Sequence, residues 1–301
     1  IQADGVTIQN LEVRGYLTGV SLGDSSDVNL TDMTITETVN GIYKGDSATV
    51  DGLTVTDGEI TDSSFGVYFA KVAVDSGDID NVTITGTSFS DLTQKGIYVE
   101  TLSDALITGI TMTDVGVLGR GPAFGGTLVN GNLGGFGAGI DINLKWDHEG
   151  EDASYSNIKI DGFTFTNVGT SNGGVEDGPS HFGGAAIAIK ARDDAPTYSS
   201  EGASYDGPVI VQNGTIDGTS VGIRVGEPNK ANSAANVTGP DVEVSGVEIT
   251  NATVADANNV SKSVLTVEMD DGDTTFVAQD GATSTGAIDV TGTDGNDSIT
   301  T

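Results

Sequence analysis

A short alternating pattern recurs along this chain and limits its fold more than any other feature. In the clearest copy, Ile158–Phe165, two apolar residues alternate with polar ones, a two-residue turn follows, and two more alternating apolar residues complete the pattern. Alternation with a period of two predicts short strands that bury one face. The copies are Val6–Val13, Val28–Ile35, Ala48–Val55, Asp78–Ile84, Ala105–Met112, Ile158–Phe165, Val209–Ile216 and Val242–Ile249.

The second turn residue is Asn, Asp or Gly in every copy. These residue types tolerate a left-handed backbone better than the others do. We therefore expect every copy to bend at the same place. The aligned turn residues are Asn10, Asp32, Gly52, Asn81, Gly109, Gly162, Asn213 and Gly246.

A second recurring segment follows each turn and consists of a small residue and alternating apolar residues. Each repeat therefore holds about three short strands, which is typical of one coil of a parallel β-solenoid. The sequence predicts an all-β solenoid of about eight coils, in which equivalent residues form columns with a spacing of about 4.8 Å. The copies of this segment begin at Gly19, Gly41, Gly66, Gly96, Gly139, Ala186 and Gly222.

The spacing between turn residues locates insertions. Gly109 and Gly162 are 53 residues apart, and Gly162 and Asn213 are 51 apart, against 22 for Asn10 and Asp32. Long loops on a solenoid often build its working face, although a stable stack also tolerates loops at little entropic cost. The inserted stretches are Gly119–Gly137, Trp146–Tyr155, Ser171–Gly184 and Arg192–Asp206.

Composition narrows the class of partner. The 301 residues carry a net charge of −32, which disfavours nucleic acids and anionic membrane surfaces and favours divalent cations or high salt. No segment approaches the roughly 18 consecutive apolar residues of a membrane helix. The chain has no cysteine. A secreted protein of this kind needs another means of stabilisation, for which calcium is a natural candidate.

The stretch Gly292–Thr300 resembles the calcium-binding nonapeptide of RTX proteins, with Thr293 in place of the second glycine. The resemblance implies that Asp297 is a calcium ligand and that backbone carbonyl groups complete the site. One nonapeptide supplies too few oxygen ligands alone, and an ordinary Gly/Asp turn is the alternative interpretation. The implied metal site comprises Asp294, Asp297, Asn296, Gly292 and Gly295.

The same resemblance implies a bacterial protein that is secreted or held at the cell surface, with type I (RTX) export. We expect a β-helix over residues 1–250 and cap strands that run into the RTX-like repeat over residues 251–301. We also expect the chain to be a processed product or fragment that continues into further repeats.

The repeat region resembles right-handed parallel β-helix proteins of the pectate-lyase-like and polygalacturonase-like kind. Alginate epimerases combine such a helix with RTX repeats, but their aromatic-Gly-aliphatic-Asp-Pro-His signature is absent. The nearest stretch, Gly139–Ile142, continues with Asn143 and Leu144. The carboxylates and the Gly-His-Gly segment of polygalacturonases are also missing. Because these motifs are missing, the sequence gives little support to an alginate epimerase or a polygalacturonase activity.

A β-elimination reaction on a uronic-acid polymer stays open as an alternative function. It needs a base and a cation that neutralises the substrate carboxylate. The columns align Asn143 with Lys190 and place Asp141 two coils from Arg224. A solvated edge of paired charges explains the same residues without a reaction. The candidate catalytic residues are Lys190, Arg192, Asp141, Lys145 and His148.

An aromatic column is the clearest candidate for a binding surface. Ser21, Tyr43, Tyr68 and Tyr98 take the outward position on four successive coils, and Arg224 extends the same face. Stacked tyrosines can contact sugar rings, or they can serve only to stabilise the sheet.

The leading functional hypothesis is therefore a calcium-stabilised structural or adhesive β-helix of the bacterial cell surface or matrix. Its expected partners are calcium and either an extracellular polysaccharide or further copies of the chain. We expect neither nucleic-acid binding nor membrane insertion. The alternative is a polysaccharide lyase or epimerase.

Overall fold

The computed structural model of this chain describes residues 1–71, 77–117, 137–145, 154–170, 184–191, 203–225 and 242–252, and five short strands between residues 264 and 300. Every regular element in these segments is a β-strand. None of the described segments forms a helix long and apolar enough to cross a membrane.

The largest sheet, sheet A, contains fifteen of the described strands. In the first coils each turn of the chain contributes two short strands, and in later coils these merge into one longer strand. The strands are β1 Thr7–Gln9, β2 Glu12–Arg14, β4 Ser25–Thr31, β5 Thr34–Thr36, β7 Val50–Thr56, β8 Glu59–Thr61, β10 Ile79–Thr85, β11 Ser88–Leu92, β13 Ser103–Val115, β16 Ile158–Val168, β19 Val209–Thr219, β21 Val242–Ala252, β23 Thr275–Ala278, β24 Thr283–Ser284 and β26 Ser298–Thr300.

A second sheet, sheet B, contains nine of the described strands, and a small sheet C contains two. Sheet C pairs β15 Ser154–Ser156 with β18 Ser204–Asp206. The strands of sheet B are β3 Thr18–Leu22, β6 Asn40–Lys44, β9 Phe65–Phe69, β12 Lys95–Val99, β14 Ala138–Leu144, β17 Ala185–Ala191, β20 Val221–Val225, β22 Val264–Glu268 and β25 Ala287–Thr291.

Strands pair in parallel with the equivalent strand of the next coil. In sheet A, β1 pairs with β4 and β4 with β7, and in sheet B, β3 pairs with β6 and β6 with β9. The chain thus passes through sheet A and then sheet B in each coil, which confirms the predicted all-β parallel β-helix.

The main path of sheet A contains ten of the described strands. Eight belong to the eight copies of the sequence pattern. The other two, β23 and β26, lie in the segment predicted as a cap, where they continue the same sheet. The division of the chain at residue 250 stays a prediction.

Aliphatic columns fill the interior of the coils. The inward column of sheet B is at most 6% exposed at each member, and its neighbours are held in register by backbone pairing. Burial of such side chains supplies about 1.5–3 kcal/mol each. The column consists of Val20, Ile42, Val67, Ile97, Ile140, Ile187 and Ile223.

The strand register corrects the predicted alignment of two copies. Asp57 and Gly86 occupy the turn column that was predicted for Gly52 and Asn81. The copies that start at residues 48 and 78 are therefore shifted by one five-residue segment. Such a shift preserves both the alternation and the type of turn residue, so the sequence pattern cannot detect it. The corrected column is Asn10, Asp32, Asp57, Gly86, Gly109, Gly162, Asn213 and Gly246.

Gly52 and Asn81 also have a left-handed backbone, with φ of 91° and 56°, but they belong to a neighbouring column that includes Asp27 and Asp104. A further column contains Asp62 and Asn167. Apart from Gly116 and Gly169, the left-handed residues thus form three columns, five residues apart in sequence, in which Asn, Asp and Gly predominate because they tolerate positive φ.

The corrected turn residues change the lengths of the intervals between the earlier coils. Asp32 and Asp57 are 25 residues apart, Asp57 and Gly86 are 29 apart, and Gly86 and Gly109 are 23 apart. The intervals of 53 and 51 residues between residues 109 and 213 are unchanged. The predicted long loops lie largely outside the described residues.

The glycines that open the strands of sheet B are required by close packing between coils. A Cβ atom on Gly66 would lie 2.5 Å from the carbonyl oxygen of Gly96 and 2.6 Å from Cδ1 of Phe89. The carbonyl oxygen belongs to the next coil and is fixed by the parallel ladder. Close packing therefore requires a glycine at Gly66, although the same column carries Ala186 in a later coil.

Substitution of this glycine tests the packing directly. We expect Gly66→Ala to lower the free energy of unfolding by about 1–3 kcal/mol, the usual cost of overpacking. Gly45→Ala is the matched control, because its nearest neighbour, Cε1 of Tyr43, would be 3.9 Å away. Urea titration of both variants provides the measurement. Equal stability of the two variants would contradict the steric explanation.

Candidate functional site

The predicted tyrosine column is present on the outer face of sheet B. Tyr43 pairs in register with Tyr68, and Tyr68 with Tyr98. The ring centroids are 5.4 Å apart for the first pair and 5.0 Å apart for the second. Phe65 adds a fourth ring, 5.2 Å from that of Tyr68 and 6.0 Å from that of Tyr98. We call these four half-buried side chains the aromatic strip.

The same column becomes charged in the following coils. Asp141 stands opposite Tyr98, Ala188 opposite Asp141, and Arg224 opposite Ala188. Asp141 is 0% exposed and Arg224 is 1% exposed, although both occupy outward positions of their strands. Both faces of β14 are buried. The aromatic strip therefore leads directly into a buried polar region.

Buried basic residues are concentrated in this region. Six of the eight described Lys and Arg residues are buried, in a chain whose net charge is −32. Four of them lie on the outer face or at the end of sheet B together with two acids and form one group. We call it the basic cluster, and it consists of Lys95, Lys145, Lys190, Arg224, Glu100 and Asp141.

Asp141 lies between two lysines. Lys95 Nζ donates a hydrogen bond to Asp141 Oδ2, and Lys190 Nζ lies 3.8 Å from Oδ1. Lys95 Nζ also lies 3.9 Å from the ring centroid of Tyr98, in a cation–π contact. A buried charge is stable only when it is paired, and these contacts supply that pairing.

Glu100 is the second acid of the cluster and accepts three hydrogen bonds or ion pairs. Its carboxylate contacts Lys145 Nζ at 2.6 Å, the hydroxyl of Tyr98 at 2.7 Å and the backbone N–H of Lys71 at 2.8 Å. Asn143 Nδ2 donates to the same tyrosine hydroxyl at 2.8 Å. Tyr98 therefore belongs to both the aromatic strip and the basic cluster.

Two further lysines lie beside the aromatic strip. Lys71 Nζ pairs with Asp78 at 2.5 Å. Lys44 occupies an inward position between Leu22 and Phe69 of the neighbouring coils and is 0% exposed. Its Nζ donates to the carbonyl oxygens of Ala70, at 3.0 Å, and Gly77.

Burial shifts the pKa values of these groups. Desolvation lowers the pKa of Lys44 to about 8, against an opposing effect of Asp78. It also lowers the pKa of Lys95, although Asp141 favours the charged form. The pKa of Tyr98 lies well above its usual value because of burial and the neighbouring carboxylates Glu100 and Asp141. Tyr98 is therefore a stable hydrogen-bond donor.

The structure places several predicted site residues together. Asp141 and Lys190 are in contact, and Asn143 stands opposite Lys190 as predicted. Lys145 is on the same face but pairs with Glu100. Arg224 stands two coils beyond Asp141. The predicted residues outside the described part of the chain are Arg192, His148, Asp294, Asp297, Asn296, Gly292 and Gly295.

Lys95, Glu100, Lys71 and Lys44 are the site residues that the sequence analysis missed. Two of them carried a signal in the sequence. Lys95 is the charged member of a column that includes Thr18 and Phe65. Lys44 stands at a position of the alternating pattern where an inward-facing apolar residue is expected. A charged residue at a position where the other coils carry uncharged residues is the signal that could have identified them.

The comparisons with known proteins match only part of the chain. A protein-family model described as NosD, periplasmic copper-binding protein, matches residues 1–130. The similarity covers the first coils and the aromatic strip but only part of the basic cluster. No curated protein and no solved structure matches the chain.

The described residues do not fit a copper centre. Copper sites use His, Cys and Met ligands, and the chain has no Cys, two His and three Met. Met33 and Met112 are buried in the apolar core, and both histidines and Met269 fall outside the described residues. Within the described segments no three His, Cys, Asp or Glu side chains are grouped to hold a metal ion. Copper therefore has no part in the function that we propose for this chain.

The buried position of Lys44 predicts a pH effect on stability. Its pKa of about 8 in the folded chain lies below the value near 10.4 in an unfolded chain. Between these values the unfolded chain binds more protons, so stability rises with pH. We expect the free energy of unfolding of the parent chain, measured relative to Lys44→Met, to increase by about 2–3 kcal/mol from pH 7 to pH 10.

The Lys44→Met variant is the reference, since it keeps the length of the side chain and removes its titration. The neighbouring charged residues Asp46, Asp78, Glu100 and Lys71 are present in both proteins, so their contributions largely cancel in the comparison. Urea titrations at the two pH values provide the measurement. If the free energies of unfolding of the two proteins differ by the same amount at both pH values, Lys44 keeps an ordinary pKa.

Proposed function

We propose that this chain is a structural or adhesive β-helix protein of the cell envelope or cell surface that holds an anionic polysaccharide against the outer face of sheet B. The observation that carries the proposal is the continuity of the aromatic strip with the basic cluster. The column from Tyr43 to Arg224 spans about 24 Å, given a strand spacing of about 4.8 Å. A ligand that lies over the half-buried rings would reach the edge of the basic cluster beside Tyr98.

The charge distribution supports an anionic ligand. The chain as a whole repels polyanions, yet its buried basic residues are gathered on one face. The four basic residues of the basic cluster, Lys95, Lys145, Lys190 and Arg224, are the ones whose charge would attract a carboxylate or sulfate group of a sugar. Nucleic acid, the other common polyanion, is disfavoured by the acidic remainder of the surface.

The aromatic strip supports a sugar as the rest of the ligand. Tyrosine combines an apolar ring with a polar hydroxyl, and it suits surfaces that are partly wet. Tyr43 and Tyr68 are half-buried and pair in register on successive coils, with their ring centroids 5.4 Å apart in an edge-to-face arrangement. A polymer with repeating rings can contact such a surface at several successive positions.

The proposed location follows from the family similarity. The matched family is described as periplasmic, and a cell-envelope location for this chain agrees with that description. Export by a type I (RTX) route and calcium binding at Gly292–Thr300 remain proposals that rest on the sequence resemblance alone.

A second candidate function is β-elimination from a uronic-acid polymer. It is favoured by Lys190, a buried amine that lies 3.8 Å from Asp141 on the proposed binding face. Lys190 would act as the base or as the partner of the substrate carboxylate. The binding hypothesis needs none of these roles and is therefore preferred.

Binding of acidic and neutral polysaccharides to variants tests the proposal. We expect the parent chain to bind polygalacturonate or alginate more tightly than neutral dextran, and increasing salt to weaken that binding. Tyr68→Ala should weaken binding of the acidic polymer by roughly two- to tenfold, because loss of an aromatic contact costs about 0.5–1.5 kcal/mol. Lys190→Met should reduce the preference for the acidic polymer. Affinity electrophoresis or calorimetry gives the affinities.

Tyr16→Ala is the matched control, because Tyr16 is 64% exposed and lies outside the aromatic strip. Equal losses for Tyr16→Ala and Tyr68→Ala would overturn the proposed binding face. Ultraviolet absorbance of unsaturated sugar in the same incubations tests the second candidate. If the parent chain forms unsaturated sugar and Lys190→Met does not, the lyase hypothesis replaces the binding hypothesis.

A further inference from the structure

We propose that Lys95 and Asp141 form an intramolecular amide cross-link that joins β12 to β14 in the next coil. The two groups are already in contact, with Lys95 Nζ donating a hydrogen bond to Asp141 Oδ2. Their side chains are 10% and 0% exposed. Burial holds the amine and the carboxyl group together and keeps bulk water away, as a favourable intramolecular reaction requires. The proposal does not depend on any ligand.

The condensation balances without a co-reactant. Lys95 Nζ forms a bond to Asp141 Cγ, and the bond between Cγ and Oδ2 breaks. Oδ2 leaves as water with two of the three protons of the ammonium group, and the third proton stays on the amide nitrogen. One buried ion pair thereby becomes a neutral amide and one water molecule.

The surroundings of the pair favour this reaction in three ways. Desolvation lowers the pKa of Lys95 and so favours the neutral, nucleophilic amine. The ring of Tyr98, 3.9 Å from Lys95 Nζ, covers one side of the pair. Lys190 Nζ lies 3.8 Å from Asp141 Oδ1, where its charge would stabilise the oxyanion that forms during attack.

Asp141 is paired with two lysines, but its carboxylate is incompletely hydrogen-bonded. Its Oδ1 atom is buried and has no hydrogen-bond partner among the described residues. A buried carboxylate in this state is costly, and condensation removes its charge. The competing arrangement is a permanent ion pair between the same two residues.

A second buried ion pair on the same face does not have an incompletely hydrogen-bonded carboxylate. Lys145 Nζ contacts Glu100 Oε1 at 2.6 Å, and both side chains are about as buried as the proposed pair. Glu100, however, also accepts hydrogen bonds from Tyr98 and from the backbone of Lys71. These donors stabilise its ionised form and make it a weaker electrophile. The Glu100 pair therefore serves as an internal control.

The cross-link would provide a covalent constraint in a chain that has no cysteine. It would connect residues 46 positions apart in sequence and would span the insertion between β13 and β14. Unlike a disulfide bond, it requires no oxidising compartment.

Intact mass spectrometry of the purified, denatured full chain tests the proposal. We expect a mass lower than that of the sequence by one water molecule. Trypsin should fail to cleave after Lys95, and the digest should contain a branched peptide in which residues 72–120 are joined to residues 121–145. Lys95→Met and Asp141→Ala should each restore the full mass, whereas Glu100→Gln should keep the deficit.

A parent chain of full mass that is cleaved after Lys95 would show an ion pair only and overturn the proposal. A deficit that persists in Lys95→Met but disappears in Glu100→Gln would assign the bond to Lys145 and also overturn it. The primary measurement uses the parent chain, so misfolding of a variant cannot obscure the result.

Discussion

The parallel hydrogen-bond ladder between successive coils is the interaction on which the rest of this structure depends. Because neighbouring strands are about 4.8 Å apart, each residue stands beside its equivalents in the coils before and after it. On the inside this spacing demands aliphatic columns and, at the start of the sheet B strands, residues as small as Gly66. On the outside it gathers like residues into continuous surfaces, of which the aromatic strip is the clearest.

The second constraint is electrostatic. A chain with a net charge of −32 could place its few basic residues anywhere on its surface, yet six of the eight that are described are buried. Burying a charge is costly unless it is paired, and Lys95, Lys190 and Asp141 meet this cost together. A covalent bond within this triad and an anionic ligand beside it are compatible, since the bond removes one charge of each sign.

Much of the fold could be predicted from the sequence, because period-two alternation and Asn, Asp or Gly turns are local signals. The same local character caused the error at Gly52 and Asn81, since a shift of five residues leaves the signal unchanged. The tyrosine column and the alignment of Asn143 with Lys190 followed from counting residues within coils. The contacts of Lys95 and Glu100 could not be predicted, because they depend on how long side chains reach between columns.

We propose that the outer face of sheet B is the ligand-binding face of the molecule. A crystal structure of the chain with a short acidic oligosaccharide tests it most directly. We predict that sugar rings lie over Tyr43 and Tyr68 and that a carboxylate of the sugar lies at the edge of the basic cluster beside Tyr98. An oligosaccharide bound to the outer face of sheet A, with sheet B unoccupied, would overturn this proposal.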